Sequence, residues 1–164
     1  MKILYIGGQK CGKSALAEKR VLKLSKYKKP FYIATYDNSY GDKSMQKRID
    51  NHLKRRVEKF ITVEKTNSLD KVIKDGETYL VDCLSMWLLN HINLSQKKIV
   101  KKLKKLLKND ANIVFVLNDV SSGVIPFEKI SRKYVDLSGI IGQIVAKECD
   151  KVIKVECGLQ TKLK

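Results

Sequence analysis

The sequence predicts one α/β domain in which a mostly parallel sheet lies between two layers of helices. Short apolar runs alternate with longer segments whose apolar residues recur at helical spacing, through all 164 residues. This alternation is typical of parallel strands joined by crossover helices. A glycine-rich loop at residues 7–14 also joins the first apolar run to the first periodic segment. No repeat or Pro/Gly-rich linker divides the chain, so we expect residues 1–164 to form a single domain.

The predicted strands are short apolar runs, and the predicted helices show apolar residues on one face. We expect strands near 2–6, 31–35, 60–64, 79–82, 111–117 and 151–156, and helices near 13–26, 44–59, 84–91, 96–108 and 128–149. The run 111–117 is the clearest candidate for a buried strand. Ser44 is a suitable N-cap for the second helix. Because ligands bind at the carboxyl ends of such strands, we expect the site in the loops that follow them.

Residues 7–14 read Gly-Gly-Gln-Lys-Cys-Gly-Lys-Ser, a G-x-x-x-x-G-K-S pattern between the first strand and the first helix. Glycines let the backbone curl so that amides point at phosphate oxygens, and the following helix N-terminus also attracts phosphate. The lysine supplies positive charge for the β- and γ-phosphates, and the serine offers a hydroxyl to Mg²⁺. We therefore predict a phosphate-loop NTPase-like domain that binds a nucleoside triphosphate through Gly7, Gly8, Gln9, Lys10, Cys11, Gly12, Lys13 and Ser14.

Asp82 ends the apolar run that begins at Tyr79. A carboxylate at the carboxyl end of a strand is the expected second protein ligand of Mg²⁺ in a phosphate-loop protein, beside Ser14. The alternative is that Asp82 only favours a turn. The loop that follows the strand 111–117, from Asn118 to Glu128, has the same two interpretations: contact with a nucleotide or second substrate, or a simple strand-to-helix turn.

The predicted helix 44–59 places Arg48, His52, Arg55 and Arg56 on one side. A histidine at the border of an apolar face often only packs. However, three of the five arginines of the chain lie within nine residues here. Arginines would lower the pKa of the imidazole and keep it nucleophilic, while they bind phosphate oxygens. The grouping therefore suits attack on a nucleotide phosphate, and His91, which has no such neighbours, is assigned no role.

The chain is strongly basic, with a formal net charge of +17 at pH 7. The excess is nearly all lysine, and much of it lies on the polar side of the helix 96–108, where it is typical of a solvated surface. We therefore predict no specific nucleic-acid partner, although nucleotide phosphates would be attracted.

No segment has the length of a membrane span and no signal sequence is recognisable, so we expect a cytoplasmic protein. The four cysteines have no metal-binding spacing and are expected to be free thiols.

Several motifs occur in a specific order along nearly the whole chain. They are Gly7–Glu18, Tyr32-Ile-Ala-Thr35, Met45–His52 followed by Arg55-Arg56, Leu80–Leu88, Asn118-Asp-Val with Gly123–Pro126, and Arg132–Asp136. This ordered set resembles the bifunctional adenosylcobinamide kinase/adenosylcobinamide-phosphate guanylyltransferase family of cobalamin biosynthesis. Cys11, Ser44 and Asp119 stand where that family usually has Ser, Glu and Glu.

The resemblance implies two reactions at one site. ATP or GTP would phosphorylate adenosylcobinamide, and His52 would then take GMP from GTP and pass it to adenosylcobinamide phosphate. Lys13, Ser14 and Asp82 would serve the phosphates and Mg²⁺. Family resemblance also implies a homo-oligomer, a trimer, with sites near subunit boundaries. The residues that would hold the nucleotide outside the phosphate loop are Ile33, Ala34, Thr35, Arg48, Leu53, Lys54, Arg55, Arg56, Glu64 and Asp82.

Two other functions are compatible with the residues. In the first, the chain is a single-activity phosphate-loop kinase of a small molecule, and His52 only binds phosphate. In the second, it binds nucleotide or nucleic acid without turnover.

Overall fold

The computed structural model describes residues 1–36, 58–64 and 67–164. The predicted helix 44–59 lies outside these residues, except that Glu58 and Lys59 form a turn. The described part contains seven strands, which together form one sheet. They are β1 (Lys2–Gly7), β2 (Phe31–Ala34), β3 (Ile61–Glu64), β4 (Thr78–Asp82), β5 (Asn112–Asn118), β6 (Lys151–Glu156) and β7 (Leu159–Lys162).

The strands lie in the order β3-β2-β4-β5-β1-β6-β7. Every neighbouring pair is parallel except β6 and β7, which form an antiparallel hairpin. The carboxyl ends of β1, β2, β4 and β5 therefore meet at one edge of the sheet. Because β5 separates β1 from β4, the loops that follow these two strands lie on either side of the end of β5.

Four α-helices are described, and they cover both faces of the sheet. They are α1 (Lys13–Ser25), α2 (Leu84–Asn90), α3 (Gln96–Leu107) and α4 (Lys129–Glu148), with a short 3-10 helix at Leu69–Lys71. On one face, Ala17 and Val21 of α1 pack against alternate strand residues such as Ile3 and Leu80. The helices α2, α3 and α4 pack against the intervening strand residues on the other face. This arrangement confirms the predicted three-layer α/β fold with a mostly parallel sheet.

The predicted elements within the described residues agree with the structure to within two residues at each end. The sequence pattern did not predict β7, because all four of its residues are exposed and carry no alternation of apolar and polar side chains. A two-residue turn instead creates this strand. Cys157 and Gly158 have φ angles of 50° and 81°, the left-handed conformation that tight hairpins require. The antiparallel register pairs Glu156 with Leu159 directly across this turn.

Two other expectations concern the thiols and the length of the helices. All four cysteines are free, as predicted. Within residues 1–36, 58–64 and 67–164, no helix is both long and apolar enough to cross a membrane.

Candidate nucleotide-binding site

The phosphate loop lies between the end of β1 and the start of α1. Gly12, the third glycine of the loop, caps α1 with a φ of 98°, a left-handed conformation that glycine adopts without steric cost. Lys10 also has a positive φ, of 57°. Gly7 has no room for a side chain, because a Cβ there would lie 2.2 Å from the Val155 carbonyl oxygen. The loop is thus packed against β6, and its tight course depends on glycine at two positions.

Lys13 is the first residue of α1 and is almost fully buried, with a relative exposure of 6%. Its Nζ donates a hydrogen bond of 3.0 Å to the carbonyl oxygen of Gly8. The side chain therefore folds back over the loop and holds its ammonium group beside the loop backbone. An anion bound in the loop would meet this charge directly, in surroundings that screen it less than bulk water does.

Asp82 at the end of β4 lies next to the first turn of α1. Its Oδ1 accepts a hydrogen bond of 3.3 Å from the Ser14 hydroxyl, and its Oδ2 accepts one of 2.5 Å from the Tyr32 hydroxyl. Two hard oxygen donors, one hydroxyl and one carboxylate, suit a Mg²⁺ ion that keeps nucleotide phosphates and water as its remaining ligands. The described residues contain no cluster of three or more His, Cys, Asp or Glu that would hold a metal by protein ligands alone.

A cavity of about 490 Å³ opens over these groups at the carboxyl edge of the sheet. It brings together six residues that the sequence singled out and five that it did not assign to the site. The first group is Gln9, Lys10, Gly12, Lys13, Ser14 and Asp82, and the second is Ala15, Cys83, Met86, Val116 and Asn118. Asn118 begins the loop 118–128, for which the sequence allowed either contact with a nucleotide or a simple turn, and it lines the cavity. Met86 and Val116 carry no such signal.

Cys83 follows Asp82 in this cavity and is a poor nucleophile. Burial, together with the neighbouring Asp82 carboxylate, raises the pKa of its thiol to about 11. The thiol is therefore protonated at neutral pH, and the thiolate is the reactive form. The Cys83 backbone has a structural role, because its N–H and carbonyl both bond to the Thr35 hydroxyl, at 3.0 and 2.7 Å.

The residues at β2 that the sequence predicts to hold the nucleotide mostly make contacts within the fold. The Ile33 side chain is fully buried in the core. Thr35 is also fully buried; its hydroxyl bonds to Cys83, and its carbonyl oxygen accepts a 2.8 Å bond from Asn90 Nδ2. Ala34 is half-buried, and Glu64 is exposed at the end of β3, paired in register with it. His52, Arg48, Leu53, Lys54, Arg55 and Arg56 lie outside the described residues.

Two further residues from the sequence analysis have internal partners. The Asp119 carboxylate accepts bonds from the backbone and hydroxyl of Ser121, which lower its pKa, and from the hydroxyl of Ser122. Its own N–H donates to the Gly7 carbonyl oxygen at 2.8 Å.

His91 is buried at the end of α2, where Nδ1 lies 2.7 Å from the Trp87 carbonyl oxygen. Burial lowers the pKa of His91, which keeps its ring neutral in the core.

Known proteins are similar to this chain over its full length. Residues 3–163 match the family described as cobinamide kinase / cobinamide phosphate guanyltransferase. The chain belongs to this family. The chain is 32% identical to the bifunctional adenosylcobalamin biosynthesis protein CobP of Pseudomonas aeruginosa, across 100% of the chain and 98% of the relative. It is 27% identical to the bifunctional adenosylcobalamin biosynthesis protein CobU of Escherichia coli K12, across the full length of both.

Among solved structures, the flagellar accessory protein FlaH of Methanocaldococcus jannaschii has a similar fold. The TM-score is 0.50 with 14% identity, across 99% of the chain and 77% of that protein. This likeness concerns the fold alone. Because the chain belongs to this family, it is a transferase of the kinase/guanyltransferase type in adenosylcobalamin biosynthesis. The family match confirms the resemblance drawn from the ordered motifs.

Proposed function

We propose that this enzyme phosphorylates adenosylcobinamide with a nucleoside triphosphate and then transfers GMP from GTP to adenosylcobinamide phosphate through His52. One observation carries the proposal: Lys13, Ser14 and Asp82 converge on one cavity at the end of β1, although Asp82 lies 68 residues from Ser14. These are the groups that phosphoryl and nucleotidyl transfer require for charge neutralisation and positioning.

The phosphate chain would lie along the loop 7–14, where backbone amides and the Lys13 ammonium group neutralise its charge. Ser14 and Asp82 would hold Mg²⁺, which, when bound, lowers the negative charge that an attacking group must approach. Asn118, at the end of the strand between β1 and β4, lines the same cavity. Its amide would hydrogen-bond a phosphate oxygen or the hydroxyl that attacks it.

In the guanylyl step, a neutral nitrogen of His52 would attack the α-phosphorus of GTP. A P–N bond forms, the bond to the bridging oxygen breaks, and pyrophosphate leaves. A phosphate oxygen of adenosylcobinamide phosphate then attacks the same phosphorus, the P–N bond breaks, and the imidazole is regenerated. The support for His52 is its place in the sequence between Arg48 and the pair Arg55-Arg56, since arginines favour the neutral ring and bind phosphate oxygens.

The remaining expectations form part of the same proposal: the protein acts in the cytoplasm, uses Mg²⁺ and assembles as a homo-oligomer, a trimer. An exposed apolar loop supports assembly. Val124, Ile125 and Phe127 are between 80% and 100% exposed in the segment that follows β5, and contiguous apolar surface of this kind marks an interaction site. Sedimentation velocity on the purified protein would test it; a single monomeric species across micromolar concentrations would contradict assembly.

A labelling experiment tests the transfer through His52. The purified protein is incubated with Mg²⁺ and GTP labelled at the α-phosphorus, and the protein-bound label is tested for stability in acid and alkali. We expect label that is labile in acid and stable in alkali, as a P–N bond is. His52→Asn should abolish it, whereas His91→Asn, which removes the other histidine of the chain, should retain it in the folded fraction.

Three outcomes distinguish the proposal from its alternatives. Absence of label, or equal label in His52→Asn, would contradict the proposed intermediate. Transfer from γ-labelled ATP to adenosylcobinamide without any α-label would identify a kinase in which His52 only binds phosphate. Retention on nucleic acid at about 0.2 M salt, with no transfer of either label, would identify a binding protein instead.

A further inference from the structure

We propose that Tyr32 is a positioning residue that holds the Asp82 carboxylate in the orientation needed for the cation. This inference rests on the proposed use of Ser14 and Asp82 toward Mg²⁺. Tyr32 lies on β2 and is only 2% exposed. Its hydroxyl donates a hydrogen bond of 2.5 Å to Oδ2 of Asp82, while Oδ1 of the same carboxylate accepts the 3.3 Å bond from Ser14.

The register of the sheet explains how Tyr32 reaches this carboxylate. In the parallel pair β2–β4, Tyr32 stands opposite Leu80, and Ala34 stands opposite Asp82. Leu80 and Asp82 point to the same face of β4 because side chains alternate along a strand. That face is the one covered by α1, where Tyr32 and Leu80 share a core cluster. The tyrosine ring therefore extends two residues along the neighbouring strand and ends at the carboxylate.

The ring of Tyr32 is itself held by packing. It meets Phe60 edge-on, with ring centroids 5.8 Å apart and an interplanar angle of 81°, an arrangement that aromatic pairs favour. Phe60 is 4% exposed and immediately precedes β3. The hydroxyl of Tyr32 is thus presented from a rigid base, and the direction of its hydrogen bond is set before any ligand binds.

Two donors on different oxygens define one orientation of the planar carboxylate. When the tyrosine hydroxyl is removed, Oδ2 loses this buried donor, and the carboxylate can turn about its terminal torsion. A carboxylate that must be oriented during binding loses conformational entropy at that step, so its affinity for a cation falls. Groups that orient metal ligands in this way commonly contribute tenfold or more to metal affinity.

The chain provides a matched control for the loss of a buried tyrosine hydroxyl. Tyr79 lies on β4 and is 1% exposed. Its hydroxyl accepts a 3.0 Å bond from the Lys74 N–H and donates a 3.3 Å bond to the Val72 carbonyl oxygen. It has no part in the phosphate cavity. Tyr79→Phe therefore makes the same chemical change as Tyr32→Phe, in the same sheet, without touching Asp82.

The test measures cation affinity directly, with Mn²⁺ as a spectroscopic substitute for Mg²⁺. Free Mn²⁺ is followed by electron paramagnetic resonance while the cation is titrated into the full chain saturated with a non-hydrolysable ATP analogue. We expect Tyr32→Phe to weaken Mn²⁺ binding about tenfold, and Tyr79→Phe to leave it at the wild-type value. Denaturant unfolding of both variants separates this effect from a general loss of stability.

A double-mutant comparison locates the effect at Asp82. Asp82→Asn should weaken Mn²⁺ binding, and adding Tyr32→Phe to it should produce little further change, because the two residues act through one carboxylate. Wild-type affinity in Tyr32→Phe, or an equal loss in Tyr79→Phe, would overturn the inference while leaving the role of Asp82 intact. Wild-type affinity in Asp82→Asn would overturn that role and this inference together; the labelling of His52 is an independent readout.

Discussion

Gly7 ends β1 at the point where the chain turns into the phosphate loop, and its α-carbon faces β6. A Cβ at this position would lie 2.2 Å from the Val155 carbonyl oxygen and 2.8 Å from the sulfur of Cys11. The first contact is with backbone of a paired strand, which cannot move aside without disturbing the sheet. At Gly8, the next residue, a Cβ would have no such neighbour within 4 Å. Adjacent glycines of the same motif therefore have different physical requirements.

Gly7→Ala should lower the free energy of unfolding by about 1–3 kcal/mol, the usual cost of forcing a methyl group into a packed region. Gly8→Ala, the matched control, should unfold at the wild-type denaturant concentration or slightly above it, since alanine restricts the unfolded chain. Urea unfolding followed by circular dichroism measures both. Equal destabilisation by the two substitutions would show that the loop, and not the contact with Val155, sets the requirement.

At the scale of elements, a threonine joins the ends of β2 and β4. The Thr35 hydroxyl donates to the Cys83 carbonyl oxygen and accepts from the Cys83 N–H. The two strands are neighbours in the sheet, and their backbone pairing ends at Ala34 and Asp82. The Thr35 hydroxyl continues this pairing by one residue, through a side chain. It fixes the backbone that carries Asp82 next to the phosphate loop.

Thr35→Val keeps the shape of the side chain but removes the hydroxyl, and it leaves the Cys83 N–H without this acceptor. We expect the free energy of unfolding to fall by about 1–3 kcal/mol, the cost of an unsatisfied buried group. Thr35→Ser retains the hydroxyl and should recover most of that loss. Chemical denaturation of the three proteins provides the measurement, and identical curves for the valine and serine variants would contradict the role of the hydroxyl.

At the scale of the whole molecule, the lysines outnumber the acidic partners available to them. The formal net charge is +17. Among the described residues, the ion pairs within 4 Å include Lys28–Glu77, Lys105–Asp70 and Lys154–Glu156. The lysines of α3 stand on the solvent side of a helix whose Ile99, Leu103, Leu106 and Leu107 are buried. Self-repulsion between such charges opposes the compact state.

Raising sodium chloride from about 0.05 to about 0.5 M should therefore raise the thermal midpoint of unfolding, by roughly 2–5 °C, because salt screens the repulsion. A variant with the exposed residues Lys97, Lys101 and Lys104 of α3 changed to glutamine should show a smaller rise. Differential scanning calorimetry at pH 7 measures both proteins. A midpoint that is independent of salt would mean that the charges are too dispersed to affect stability.

Much of the fold was predictable because its signals are local. Alternation of apolar runs and helical periodicity placed each α-helix and nearly every strand of the described residues, while the 3-10 helix was not predicted and β7 was missed because it depends on a turn and not on a pattern. The phosphate loop was recognisable because its glycines and Lys13 are required within eight consecutive residues. For the site residues outside the loop, the sequence identified Asp82 but not its contact with Tyr32, and the role of His52 stays a prediction.

The sequence by itself determined most of the described elements, the phosphate loop and the family. Backbone preferences and apolar periodicity act between near neighbours in the chain, and the motifs of the family are short runs of neighbouring residues. The tertiary structure decided which strands are adjacent. By placing β5 between β1 and β4 and β2 beside β4, it brings Asp82 to Ser14 from 68 residues away and to Tyr32 from 50. Such contacts follow from which faces are buried together in the sheet. No local pattern encodes the burial partners of a strand, so the orientation of the Asp82 carboxylate is a property of the folded molecule.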